Sequence, residues 1–510
     1  MSFVRTDMPQ GLDFSLKDMR PTAQWVDTHL AANLLDEMCH LETDCQEQIQ
    51  EIYEKFSPQR SSRSWIALRN LLDNPWFERM WVVQEVALAR RVRVQYGDVG
   101  IKWAHLIDLH QVVLESQVLF SLFEETKDSN VVRPPRALGT SIAKMHAIRE
   151  NIQNSNTASL TETLHACRPF KATDPRDKVF AVHGLCKNLP SGLMLPAYDK
   201  STTVKTVYMN AAACLIVAGD LDWVLSMAGK GNQIENRIEQ LPSWVPDWSS
   251  IPHVGGSRET TVATRYTAGL SSSDSAVTAQ VQDDTLLLQA LKAGTIAVLG
   301  PVAELRPGDR RNGLASPLSA MGDAVDKSYE LVMNSPHTRD PYPWTPKSIT
   351  TSSPAQQQSL HEVFWRTLIG DHTPVVRPAP PHLSAQFENF MEFLHDTDAL
   401  HNTGAVVPGT AEKYMASMVY FGAATMCFGG RRVCVTKEGI VGIVPPETQV
   451  GDLLVVVRGF ESPFVLTNSG VAEANEDKSS FQLVGRCYLH GIMDGELFGD
   501  GAIEEQFVIV

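Results

Sequence analysis

The spacing of apolar positions changes most clearly near residue 432. Before about Arg432 they recur mostly at helical intervals; after it they come in short runs separated by Gly, Pro and acidic turns. The strongest helical signal is 74–89, NPWFERMWVVQEVALA. Asn74 suits a cap, Pro75 the first helical position and Glu78 the first turns, so one helix is expected here. Trp76, Phe77, Met80, Trp81, Val83, Ala87 and Leu88 would share a broad face, with Val82 and Val86 opposite, which predicts burial nearly all round. Gln84 falls within the aromatic face and is expected to be buried and hydrogen-bonded. Further helices are expected over 21–56, 103–123, 138–151, 203–218 continuing through 220–226, 360–369 and 387–400, with a buried one at 414–430. Val92, Val94 and Tyr96 alternate with polar residues and predict a strand, and 277–299 is β-rich.

The runs 432–436, 440–444, 453–458, 463–467 and 481–489 predict a small antiparallel sheet or barrel. The fold class is therefore α+β. The expected organisation is a helical body at 1–250, a mixed connecting region with Pro/Ser-rich loops at 251–430, and a β-rich module at 431–510.

The net charge of −15 argues against nucleic acid as a partner. No basic run suits an anionic membrane, and the longest uncharged stretch, 414–430, is short for a span. The eight cysteines are scattered without a CxxC pair, as expected for reduced thiols in the cytosol. Cys39, His40 and Cys45 lie close in sequence, but no second ligand pair has suitable spacing, so no metal site is assigned. P-loop, GxGxxG, kinase, GxSxG and HExxH signatures are missing, so no standard cofactor is expected.

Three stretches hold candidate chemistry. In 165–187, HACRPFKATDPRDKVFAVHGLCK, Asp174 can cap a helix, and Arg168 and Arg176 are cations suited to an anion or to internal ion pairs with Asp174 or Asp177. An ion-pair network is expected to link Arg176 and Asp177 to the 74–89 helix, with Arg79, Glu78 or Glu85 among the partners. In 241–249, LPSWVPDWS, two prolines fix a strap, and Trp244 and Trp248 either pack on a core or stack on a ligand. In 485–500, GRCYLHGIMDGELFGD, His490, Asp494 and Glu496 are the candidate catalytic groups, with Cys487 nearby, because His with a carboxylate can move protons near neutral pH. The structural alternative is that this run only pins the sheet. Trp81, Gln84, Glu85, Arg176, Trp244 and Trp248 are the candidate binding residues.

The motifs NPWFERMWVVQEVALA, DPRDKVFAVHGL, LPSWVPDWS, GRRVCVTKEGIVGIVPPETQVGDLLVVVRGFESPFVL and LVGRCYLHGIMDGE, in this order, resemble those of fungal heterokaryon-incompatibility (HET-domain) proteins. The family's usual tryptophan-isoleucine-aspartate strand and cysteine-isoleucine-asparagine-glutamine run are not found, so the chain is expected to start inside the HET domain. The resemblance implies self/non-self recognition and triggered cell death. The family's first half is similar to TIR domains, some of which cleave NAD; that reading would need Glu78 or Glu85 in a nucleotide cleft. Related genes occur near fungal biosynthetic clusters, which implies an alternative: an enzyme on a small molecule, with a pocket between the helical body and the C-terminal module. The expected partner is thus a protein or a small-molecule ligand, with oligomeric state open.

Overall fold

The computed structural model describes residues 2–3, 25–39, 58–115, 140–154, 159–230, 238, 240–250, 266–270, 279–303, 316–344, 346, 358–403, 407–472, 479–499 and 501–510. His40 and Cys45 lie outside these residues. The chain forms two compact units, Met1–Val204 and Lys205–Val510.

The first unit is mainly helical. Its described helices are α1 (Trp25–Met38), α2 (Pro58–Leu72), α3 (Met80–Leu88), α4 (Trp103–Glu115), α5 (Thr140–Asn154), α6 (Leu160–Cys167) and α7 (Asp177–Phe180). Strands β1 (Ser2–Phe3), β2 (Arg93–Tyr96) and β3 (Val99–Lys102) form a three-stranded antiparallel sheet. Leu34 and Leu35 of α1, Trp65 and Leu68 of α2, and Trp76, Phe77 and Val83 are fully buried.

The 74–89 segment is not one helix. Asn74 does cap, accepting the Trp76 N–H at 3.0 Å, but the turn it starts is a 3-10 helix, Pro75–Glu78. Arg79 is extended (φ −83°, ψ 133°), and α3 begins after it. The break comes from a parallel bridge in which Lys171 N–H donates to Glu78 O (2.5 Å) and Met80 N–H to Lys171 O (2.8 Å). Restarting the helix changes its phase, so Val82 and Val86 are buried whereas Trp81 and Leu88 are 38% and 43% exposed. Burial all round is therefore replaced by a Trp81–Leu88 edge that faces solvent.

The second unit begins with α8 (Val204–Val217) and α9 (Leu221–Met227), separate helices parted at Gly219, whose φ is 98°. Its strands are β4 (Ala279–Gln282), β5 (Thr285–Val302), β6 (Arg432–Thr436), β7 (Val441–Val444), β8 (Leu453–Val456), β9 (Phe464–Ala472), β10 (Ser479–Arg486), β11 (Tyr488–Leu489) and β12 (Glu505–Ile509). Strand β5 is the spine. Its first half pairs with β12 and β4, its middle with β8 and its last part with β6. The order β5–β12–β10–β9–β8 returns to β5 and closes a barrel, while β6, β7 and β11 extend from the far half of β5. The β10–β12 pair is parallel, not antiparallel. The β-rich part thus draws on 279–302 as well as 431–510. Periodicity marked those residues as strand, but it carries no information on which distant strand completes the ladder.

Between β5 and β6 the chain makes a helical excursion containing α10 (Ser316–Asn334), α11 (Leu360–Leu368), α12 (Leu383–Thr403) and α13 (Thr410–Cys427). It leaves and returns at one place: Ala303 N–H donates to Arg431 O at 2.8 Å and Gly430 N–H to Ala303 O at 2.7 Å. Phe364, Phe387, Phe390 and Tyr420 of the excursion share a core with Val433, Val435 and Ile443 of β6 and β7. Helix α13 buries Ser417, Tyr420, Ala423 and Ala424 but exposes Met415, Met418, Val419 and Met426, so it is amphipathic and not wholly buried as expected. No described helix is long and apolar enough to cross a membrane.

Candidate functional site

In the first unit the candidate binding residues sit around α3. Gln84 is half-buried, and its amide lies where a Cβ on Gly184 would be, 2.0 Å from Nε2. The two motifs therefore touch, but Gln84 has no hydrogen bond to a described residue, which corrects the expected buried and bonded amide. Glu78 is buried and pairs with Lys171 at 2.5 Å. Arg176 does not reach α3. Its guanidinium pairs with Asp174 at 2.6 Å, donates to Thr202 O at 2.8 Å and lies over the Tyr198 ring at 5.1 Å. Hydrogen bonds from Arg176 hold the Asp174 carboxyl below its usual range. Tyr198 Oη donates to Asp177 at 2.6 Å, so this motif is a local clasp.

Sequence reading missed Arg149. From α5 its Nη1 donates to Val86 O (2.6 Å) and Ala89 O (2.5 Å), and Nη2 to Arg90 O (3.2 Å). Gln153 adds bonds to Ala87 O and Ala89 O, both 3.2 Å. Helix α3 has no glycine at its end; a cation from elsewhere satisfies its last carbonyls and opposes the negative end of its dipole.

In the second unit the tryptophan strap is buried. Trp244 and Trp248 are 0% and 1% exposed. Trp244 Nε1 donates to Asp284 O at 3.0 Å, and Trp248 meets Tyr208 edge-on at 5.1 Å. Ser243 fastens the strap to the barrel: its N–H donates to Val510 O at 3.0 Å and its Oγ accepts from Leu483 N–H at 2.8 Å. Both tryptophan faces are committed to packing.

His490 follows β11 and is fully buried. Its Nε2 lies 2.8 Å from Gln358 Oε1 and its Nδ1 2.9 Å from Tyr488 Oη. An amide oxygen only accepts, so Nε2 carries the proton and Tyr488 donates to Nδ1. Gln358 is oriented in turn, because its Nε2 donates to Glu362 Oε1 at 3.3 Å. Arg366 holds Glu362 at 2.8 Å and reaches Asp371 and Ala379 O, both at 2.7 Å. Tyr342 Oη donates to His490 O (3.2 Å) and accepts from Val441 N–H (3.0 Å). Burial, with the Arg366 and Arg377 charges adding to it, pushes the imidazole down to about 3, so it is neutral at any ordinary pH. Burial pushes the Asp371 carboxyl up to about 6 in spite of Arg366.

Asp494 belongs to a neighbouring pair. It meets Arg377 Nη2 at 2.7 Å, and Arg377 stacks over the Tyr266 ring at 4.6 Å. Asp494 N–H donates to Glu496 Oε2 at 2.7 Å. Asp494 Oδ2 is buried without a hydrogen-bond partner among the described residues. The structure thus joins Asp494 with Glu496, but His490 bonds to Gln358 and Tyr488 and not to either carboxylate. An open groove of about 510 Å³ is lined by Leu270, Arg458, Phe498, Gly499, Gly501 and Ala502, none of them a candidate catalytic group.

Comparison with known proteins follows the same order along the chain. A family model for heterokaryon incompatibility protein (HET) matches residues 20–85, and one for the Het-6 β-barrel domain matches residues 382–510. The segments matched at both ends of the chain are thus similar to those of heterokaryon-incompatibility proteins. The chain is also 23% identical, over 483 residues, to heterokaryon incompatibility protein 6, OR allele, of Neurospora crassa; the match covers 86% of this chain and 67% of that one. No solved structure matches. Within this chain the HET-like segment and the Het-6-barrel-like segment thus fall in different compact units.

Proposed function

We propose that this protein is a recognition or regulatory component of fungal self/non-self discrimination or cell-death signalling, acting without a standard nucleotide cofactor in the cytosol. The observation that carries this reading is the reach of the similarity to an incompatibility protein: it spans 86% of the chain, so both units take part. The burial of the best catalytic candidate supports a recognition role further. A general base must reach a substrate proton, and His490 has both nitrogens occupied and no exposed surface. In this reading His490 through Gln358, and Asp494 through Arg377, hold the excursion on the barrel, Arg366 and Asp371 brace the excursion internally, and Asp494 with Glu496 fixes the turn after β11. Trp81, Gln84 and Glu85, on the solvent-facing edge of α3, are the binding residues of choice for a protein partner.

The test is a fusion assay. The chain is expressed in a filamentous fungal strain, which is fused with a panel of genetically distinct testers and with itself. Death of fusion cells, read by dye uptake, with at least one tester and not in the self-fusion supports the reading. Growth equal to the empty-vector strain with all testers refutes it.

A further inference from the structure

We propose that Asp36, Cys39 and His105 form a binding site for a zinc-class divalent cation, clipping α1 to α4. Asp36 and Cys39 stand three positions apart at the end of α1, so helical spacing puts both on one face. His105 comes from the first turn of α4, far along the chain. Their ligand atoms, one from each residue, all lie within 4.8 Å of one another.

The distances argue for a shared occupant over a direct bond. His105 Nδ1 and Asp36 Oδ1 are 3.7 Å apart. That is too long for a hydrogen bond. It is close to the edge of a tetrahedron around zinc, which is about 3.4 Å for metal–ligand bonds of about 2.1 Å. The side chains need move by no more than about 1 Å to close the set. Asp36 is 69% exposed, so its carboxylate is free to make that adjustment.

The donor chemistry agrees. Thiolate and imidazole beside one carboxylate select zinc over calcium or magnesium, which require oxygen ligands. With three protein ligands, the fourth position is left for water.

The experiment uses the full chain, stripped with chelator and titrated with Zn²⁺ against a chromophoric competitor, and separately with Co²⁺. One equivalent should bind and raise the melting temperature. The cobalt form should show a thiolate-to-metal charge-transfer band that Cys39→Ser abolishes. His105→Gln and Asp36→Asn, at partly exposed positions, should each weaken Zn²⁺ binding by about ten-fold or more. These two variants decide the matter if Cys39→Ser folds poorly. Failure of the wild-type protein to bind an equivalent, a charge-transfer band that survives in Cys39→Ser, or unchanged affinity in His105→Gln overturns the proposal.

Discussion

Replacing His490 with Gln separates a buried neutral imidazole from one that titrates. In the folded protein the ring stays neutral down to about pH 3. In the unfolded chain it takes a proton near pH 6.5. The folded value is the lower one, so the unfolded state binds the extra proton in the window between. His490's contribution is therefore intact above pH 6.5 and is lost as pH falls towards 3. Between pH 7 and pH 5 the loss is roughly 2 kcal/mol by linkage. Asp371 acts with the opposite sign: its folded carboxyl is raised to about 6, so the folded state holds the proton first and gains stability as pH falls through that window. The two slopes largely offset each other in the wild-type protein, and only the difference between proteins isolates His490. Gln at this position can still donate to Gln358 but loses the Tyr488 bond, so His490→Gln should be less stable at pH 7 by about 1–2 kcal/mol. The assay is urea unfolding of both proteins at pH 7, 6 and 5. The variant's deficit should shrink by roughly 2 kcal/mol on going to pH 5, vanishing or reversing. A deficit that stays constant to within about 0.5 kcal/mol would mean that His490 ionises in the folded protein, and would refute the network described above.

Four other substitutions test other parts of the structure. Arg149→Met removes the charged donors from the end of α3 and should cost about 1.5–3 kcal/mol in thermal or urea unfolding, whereas a loss below about 0.5 kcal/mol would show that water caps α3 instead. Arg366→Met strands the buried Asp371 and should cost about 3–5 kcal/mol, and a variant of wild-type stability would contradict the pairing. Gly491→Ala forces a side chain into a position at φ 85° where its Cβ would stand 2.2 Å from Trp344 O, so a loss of about 1–3 kcal/mol is expected, and a neutral result would mean the turn is misplaced. Gln84→Leu should change stability by less than about 0.5 kcal/mol, since no described partner is stranded; a large loss would restore the buried-amide expectation.

Local rules carried far in this sequence, and they failed where a distant residue intervened. The Asn74 cap, the strand at Arg93–Tyr96 and the strands after Arg432 all follow from composition within a few residues. The break at Arg79 does not, because its cause is the backbone of Lys171. Nor does the end of α3, which depends on Arg149. In the candidate site, His490 and Asp494 were legible as chemistry-bearing residues, and their Gly-flanked turn was visible. Their separation was not, since Gln358 and Arg377, which claim them, belong to the excursion and leave no periodic signal. Cys39 drew notice as a ligand, whereas His105 lies in another helix and no spacing rule links it to α1.

The meeting of Ala303 with Gly430 and Arg431 gives the second unit a particular modularity. Topologically, β5 and β6 are the arms of a hairpin, and everything between them occupies the place of its turn. Because the entry and exit are already held together by backbone bonds, lengthening or exchanging that segment adds little closure entropy and leaves the ladder register untouched. A different segment could therefore stand in this place with the barrel kept, provided it covers the apolar face of β6 and β7 and supplies a partner for the buried histidine. Grafting a segment at this junction is accordingly the natural way to build chimaeras, with the barrel as a constant frame.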